Sequence, residues 1–348
     1  MTELMKPFSH IYVEEQALKY ERTKRILQHF PGSEQILIRD YRDVFNRRNQ
    51  NPGVQHRSQK LILAVKKDGF LYKGAPVCQS FGESDFYYTS NVMNCVYDCD
   101  YCFLKGMYPT SNMVIFVNLE DTFNEINKII GRGRIYVSIP YESDMLAIEG
   151  ITGMISDWAE WARGRKNVLL ELRTKCANVD LMHSIIGHTE DKNETSSGDA
   201  NKVDNMILAV TMSPDEVISK YEKYTPKLDS RILMAKAAIE KNMPVRLCFD
   251  PMMFIKDYKD AYGNTVDIIF SKISPESLRD VSLGSFRISK DYIKNFRKSY
   301  PDSGTAFFPY EMREGYYQYP EDIRIEMEDF LYEKLLNYLP EEKIFRWK

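Results

Sequence analysis

The alternation of apolar and polar positions changes character partway along the chain. In residues 10–30, "HIYVEEQALKYERTKRILQHF", apolar side chains recur at helical spacing and "PG" follows as a stop, which predicts a helix. "SEQILIRD" reads as a short strand, "RNQNPGVQHRSQ" as a loop and "KLILAVKK" as a second strand. From about residue 85, compact β-rich runs take over: "FYYTS", "IYVSI", "VLLELRT", "MILAVT", "VRLCFD" and "VSLGSF", with "MVIFVN" as an additional one. Helical runs separate them, among them "LEDTFNEINKIIGRG", "TGMISDWAEWARG", "NVDLMHSIIG", "SRILMAKAAIEKN" and "VDIIFSKI". Strands that alternate with helices pair in parallel through crossovers. About six such units predict an α/β fold of the partial TIM-barrel type, (βα)6, since a closed barrel takes eight.

Residues 189–205, "TEDKNETSSGDANKVDN", are polar and lack periodicity, and read as a flexible surface insertion between two units. The tail from about 305 is rich in aromatic residues, "FFPYEMREGYYQYP", and ends in a helical run, "EDIRIEMEDFLYEKLLNYL". The expected organisation is a small N-terminal α/β extension over 1–84, the partial barrel over 85–300 and a C-terminal aromatic and helical extension over 301–348.

Charge adds little at first. The 348 residues carry a net charge of −3 and a pI near 6.1, which gives no global case for a nucleic-acid or membrane partner. The distribution is uneven: residues 1–70 carry +5 and the remainder −8, so a modest basic surface is expected near the start. No basic stretch followed by an apolar run opens the sequence, and no segment approaches a membrane span, so a cytoplasmic location is expected. Cysteines there stay reduced, and are metal-binding, catalytic or simply buried.

Three of the six cysteines fall within "SNVMNCVYDCDYCF", residues 90–103, as Cys95, Cys99 and Cys102. A structural zinc site normally joins two Cys-x-x-Cys pairs, and here one C-x3-C-x2-C stands alone. Cys78, Cys176 and Cys248 are distant, and no histidine lies between 57 and 182. A zinc site would therefore need a remote fourth ligand. A [4Fe–4S] cluster held by three thiolates keeps one iron for an outside ligand. C-x3-C-x2-C with an aromatic before the last cysteine is similar to the signature of the radical S-adenosylmethionine (SAM) superfamily. That resemblance implies SAM chelating the fourth iron and a 5′-deoxyadenosyl radical as the reactive species. The motif follows "FYYTS", on the loop after the first barrel strand, where such barrels build active sites.

Beyond that motif, residues 11–31, "KLILAVKK", "CVYDCDYCFLKGMYPTSNMVIFVN", "ESD" at 142–144, "LRTK" at 172–175 and "SFRISKDYIKNFRKSYPDS" at 285–303 together resemble the spore photoproduct lyase family. The resemblance implies repair of 5-thyminyl-5,6-dihydrothymine, a UV lesion of spore DNA. The adenosyl radical removes hydrogen from C6, the inter-thymine bond breaks, and a cysteine returns a hydrogen atom to the thymine radical. It implies damaged DNA as partner and an electron donor of the flavodoxin or ferredoxin type. Cys95, Cys99 and Cys102 match the cluster ligands. Tyr101, Ser143, Lys175, Thr211 and Ser213 fall at or near SAM contacts.

Two positions depart from the family's pattern. Tyr141 stands where the usual hydrogen-donor cysteine precedes a Thr-Ser-Asp run, and Phe103 replaces a tyrosine after the last cluster cysteine. A phenyl ring has no O–H hydrogen to give. Cys78, just ahead of the first barrel strand, is a substitute donor, with Tyr141 as relay or packing; the plainer alternative is a buried small hydrophobe. Cys176 and Cys248 read as core residues, and Asp250 as a pocket residue or a turn cap. Arg287, Lys290, Lys294, Arg297 and Lys298 form a basic run, and Arg313, Tyr316, Tyr317 and Tyr319 interleave charge with rings. Such a mix either grips a flipped-out nucleotide or is a solvated face. A radical SAM enzyme with a different substrate, and a binding protein that keeps the cluster for structure, remain open at this point.

Overall fold

The computed structural model describes residues 8–74, 78–187 and 204–347. Its centre is a curled parallel sheet whose first six strands run in chain order: β1 (Phe86–Tyr88), β2 (Ile135–Ile139), β3 (Val168–Thr174), β4 (Met206–Thr211), β5 (Val245–Met252) and β6 (Asp280–Ser285). These are the six runs that the sequence pattern picks out. A seventh parallel strand, β7 (Ile344–Arg346), comes from the C-terminal tail and pairs with β6, while Tyr72–Lys73 runs antiparallel along β1. The strands of β2 and β4 are buried along their whole length, which is why they read as unbroken apolar runs: helices cover one face and the barrel interior fills the other.

The stretch 10–30 corrects the predicted single helix. Residues His10–Glu14 form a strand, a tight turn spans Glu15–Lys19, and the helix is confined to Glu21–Gln28. The strand pairs in parallel with both Glu34–Ile38 and Leu61–Leu63. Two partners satisfy its backbone, and Ile11, Val13 and Glu14 are buried; a helical period cannot be told from this over five residues. "MVIFVN" is a strand, Met113–Phe116, but it joins this N-terminal sheet through Leu61–Ala64 and takes Val92–Met93 on its other side. Most of the polar stretch 189–205 lies outside the described residues; Asn205 leads into β4.

The tail adds a three-stranded antiparallel sheet in which Tyr316–Gln318 lies between Arg287–Ser289 and Glu311–Arg313. Its hairpin turns at Glu314 and Gly315, both with positive φ (50° and 86°), the geometry that suits the twist of a two-residue β-turn. Glu321–Leu336 forms the predicted terminal helix and packs on the helix Tyr258–Lys272. Among the described residues, no helix is long and apolar enough to cross a membrane.

Candidate active site

The loop after β1 carries the three cysteines and is pinned from both sides. Asp98–Cys99 pairs antiparallel with Glu222–Lys223, and the Asp100 amide donates to the Tyr221 carbonyl at 2.6 Å. After Phe103 the chain turns into a short helix, Leu104–Met107, which docks on the helix Lys290–Ser299. The approach is so close that a Cβ on Gly106 would lie 2.0 Å from the Tyr292 carbonyl oxygen. Asn295 Nδ2 seals it with a 3.0 Å bond to the Gly106 carbonyl.

A cavity of about 580 Å³ opens at the C-terminal ends of the strands, and all three cysteines line it. Burial pushes their thiols upward, Cys99 to about 12. Lys175 beside Cys99 and Cys102, and Lys105 beside Cys102, pull the other way without overcoming burial, and a positively charged metal centre would complete the charge balance of three thiolates. Among the described residues, no group of three or more His, Cys, Asp or Glu side chains converges on a single ion. Three cysteine thiols lining one cavity are the donors that a [4Fe–4S] cluster with one iron left to an outside ligand would use.

Around the cysteines sits a polar wall. Asp144 accepts from Thr174 Oγ1 at 2.8 Å and from the Lys175 amide at 2.7 Å, tying the loop after β2 to the end of β3. That leaves Ser143 on the cavity wall, its Oγ buried and without a hydrogen-bond partner, a position that a polar ligand would complete. Lys175 also lines the cavity, 5.6 Å from the Tyr101 ring. Burial opposes charge on its amine, but Cys99 and Glu222 outweigh it and hold the amine above its ordinary value. Thr211 reaches the wall from the end of β4.

Ser213 is placed differently. Its hydroxyl donates to Glu222 Oε1 at 2.8 Å, so it belongs to a fully buried network behind the wall. Glu222 also accepts from Tyr101 Oη at 2.5 Å and pairs with Arg231. This buried ion pair carried no periodic signal in "YEKYTP", and only three dimensions bring its parts together. Removing one partner strands a charge: Glu222→Ala is expected to cost about 3–5 kcal/mol in urea unfolding, and a Glu222→Leu/Arg231→Met double variant to recover most of it.

At the other end of the cavity stand Arg173, Asp250, Arg287 and Tyr316. Arg287 lies 3.5 Å from Asp250 Oδ1, and its guanidinium stacks 3.9 Å above the Trp347 ring. The tail tryptophan thus helps aim a cavity arginine, a link that sequence reading missed. Arg313 does not reach the wall: it is exposed on the outer hairpin strand and pairs with Glu321 at 2.7 Å. Between the two ends, Cys78 Sγ lies 2.9 Å from Tyr141 Oη. The Tyr141 ring packs on Tyr88 (4.4 Å between centroids) and beside Phe103 (5.9 Å). Burial, followed by the neighbouring Cys78, pushes the Tyr141 phenol well above its ordinary value, so it stays protonated. Cys248 is buried in the core. Cys176 is buried too, with no place on the cavity wall.

A sequence model of the family described as "Spore photoproduct lyase" matches residues 6–347. The chain belongs to the spore photoproduct lyase family. Solved structures of spore photoproduct lyase share the fold. One, complexed with dinucleoside spore photoproduct, has a TM-score of 0.76 at 18% identity over 99% of both chains. Another, a double mutant with bound AdoMet and dinucleoside spore photoproduct, gives 0.75 at 18% over 99% of both. No curated protein matches the chain by sequence. Family membership therefore rests on the whole-chain match, and the three cysteines on one wall of a barrel-end cavity fit it.

Proposed function

We propose that this protein is a radical SAM lyase that converts spore photoproduct in DNA to two thymines. The observation that carries the reading is the convergence, on one cavity at the strand ends, of three cysteine thiols and a separate thiol–phenol pair. A [4Fe–4S] cluster and SAM, when bound, would supply the radical chemistry that activates the lesion. Cys95, Cys99 and Cys102 hold the cluster. The unpaired Ser143 hydroxyl, the Lys175 amine and Thr211 hold SAM, and the Tyr101 backbone lies beside it. Arg287 and Tyr316 hold the lesion at the far end, while the exposed Arg313 faces DNA outside the cavity.

Cys78 performs the closing step. Its S–H bond breaks as a C–H bond forms on the thymine radical, leaving a sulfur-centred radical. Tyr141 Oη, 2.9 Å away and kept protonated by burial, is placed to pass a hydrogen atom to that sulfur. Phe103 has no such hydrogen, so Tyr141 takes the part that the tyrosine after the last cluster cysteine plays elsewhere in the family. The electron reaching the cluster comes from a flavodoxin or ferredoxin type donor, and the enzyme works in the cytoplasm.

The test is turnover: anaerobically reconstituted, reduced protein given SAM and dinucleoside spore photoproduct should yield thymidylyl-thymidine. SAM cleavage without lesion turnover would point to a different substrate. A narrower expectation concerns Ser143. Ser143→Ala should weaken SAM binding about five- to tenfold in equilibrium titration, the worth of roughly 1 kcal/mol for one hydrogen bond, and leave iron content unchanged.

A further inference from the structure

Phe81 sits in a conformation that its side chain does not favour. Its φ is +54°, in the left-handed region usually left to glycine or asparagine, and Gly82 follows at +79°. The ring is nevertheless buried, and what it buries against is unusual. The Arg246 guanidinium carbon lies over its face, 3.3 Å from the ring centroid. Arg246 is itself 1% exposed and cannot move: it is gripped by Asp280 through two bonds, by Glu171, and by Tyr136 Oη at 2.8 Å. Phe345 of the C-terminal strand β7 closes on the ring edge-on at 5.4 Å, and Tyr136 flanks it at 6.0 Å. Gln79 adds a reach to the same strand, its Nε2 donating to the Arg346 carbonyl at 3.5 Å, while its Oε1 accepts from the Phe81 amide at 3.3 Å.

Cys78 is three residues upstream. The segment 78–82 therefore has two fixed points: Phe81 in a socket built by β5, β6 and β7, and Cys78 against Tyr141. We infer that Phe81 is a positioning residue for the Cys78 thiol, its seat between Arg246 and Phe345 setting how far the sulfur projects over the substrate end of the cavity. This rests on the reading of Cys78 as hydrogen donor. Hydrogen-atom transfer demands close approach, and a misplacement of about 1 Å at a reacting group costs on the order of a hundredfold. The inference also gives the C-terminal strand a role in chemistry more than 260 residues away in sequence, through Gln79 and Arg346.

The experiment compares Phe81→Gly, Phe81→Tyr and Phe345→Ala in the reconstituted protein. Glycine removes the ring while relieving the left-handed backbone, so loss of folding is not built into it; Phe345→Ala tests the same socket from the other side. Two quantities are read: the ratio of thymines restored to SAM consumed, with dinucleoside spore photoproduct as substrate, and the rate of Cys78 alkylation by iodoacetamide in SAM-free protein, mapped by mass spectrometry. Phe81→Gly should lower the ratio at least tenfold and speed Cys78 alkylation about fivefold or more. Phe81→Tyr, which keeps a π-face, should stay within twofold of the wild type, and Phe345→Ala should fall between. A Phe81→Gly or Phe345→Ala protein with wild-type ratio and wild-type alkylation overturns the inference. So does a parallel fall of both activities at constant ratio, which marks a purely structural ring. Cys78→Ala run alongside separates the levels. If it repairs normally, the donor reading falls and this inference with it; if it fails while Phe81→Gly repairs normally, only the positioning role is lost.

Discussion

Replacing Cys99 with alanine should abolish both the iron–sulfur chromophore and SAM cleavage. Cys99 is the cluster-loop cysteine whose own backbone is locked into a sheet, paired with Glu222, and its thiol is buried. The neighbouring cysteines have no spare thiol to donate, since Cys176 and Cys248 are buried off the cavity wall and Cys78 is engaged with Tyr141. Anaerobic reconstitution should therefore give about four irons per chain in the wild type and well under that in the variant. The loop itself should survive, because Asp98, Asp100 and Lys105 anchor it: Lys105 meets Asp98 at 2.8 Å, and Thr305 donates to Asp100 at 2.6 Å. A Cys99→Ala protein that keeps its chromophore and cleaves SAM at the wild-type rate would remove these cysteines from the mechanism.

The second large effect is expected at Cys78. Cys78→Ala should continue to consume SAM in the presence of the lesion, yet yield thymidylyl-thymidine at least tenfold less often per SAM cleaved, a barrier difference of about 1.4 kcal/mol or more for the closing step. The thymine radical then has no thiol within reach and must end elsewhere. Tyr141→Phe isolates the partner: it keeps the ring packed on Tyr88 but removes the hydroxyl 2.9 Å from the sulfur. Its first turnover should be normal and later ones slow. Product analysis by chromatography and mass spectrometry reads both. Equal yields from Cys78→Ala and wild type would leave Cys78 as a packed small hydrophobe.

The barrel was legible in the sequence for a physical reason. Strands buried on both faces are unbroken apolar runs, and the helices between them carry the other period, so "MILAVT" and "VRLCFD" announce themselves. The N-terminal stretch failed because a five-residue strand followed by a turn and a short helix mimics one long helical period; parallel partners at 34–38 and 61–63, invisible locally, decide it. Within the site, the cysteine spacing was legible because it is a local chemical pattern. Ser143 was legible only through resemblance, and the structure adds the unpaired hydroxyl that makes it chemically meaningful. Ser213 turns to Glu222 while Thr211 lines the cavity because the strand ends at Thr211, so the alternation that puts positions two apart on one face does not carry on to Ser213. The Glu222–Arg231 pair, the stacking of Trp347 on Arg287 and the seat of Phe81 on Arg246 join residues 9 to 165 positions apart, and no local pattern announces any of them.

One measurement bears on the central claim most directly: lesion turnover by the reconstituted protein in deuterium oxide. There the Cys78 thiol exchanges to S–D before it reacts. Lesion repair by this thiol predicts thymidylyl-thymidine carrying deuterium on a thymine methyl group in the wild type, with that labelled product lost in Cys78→Ala. Repaired dinucleotide free of deuterium, or no repaired dinucleotide from protein that holds its cluster and cleaves SAM, would contradict it.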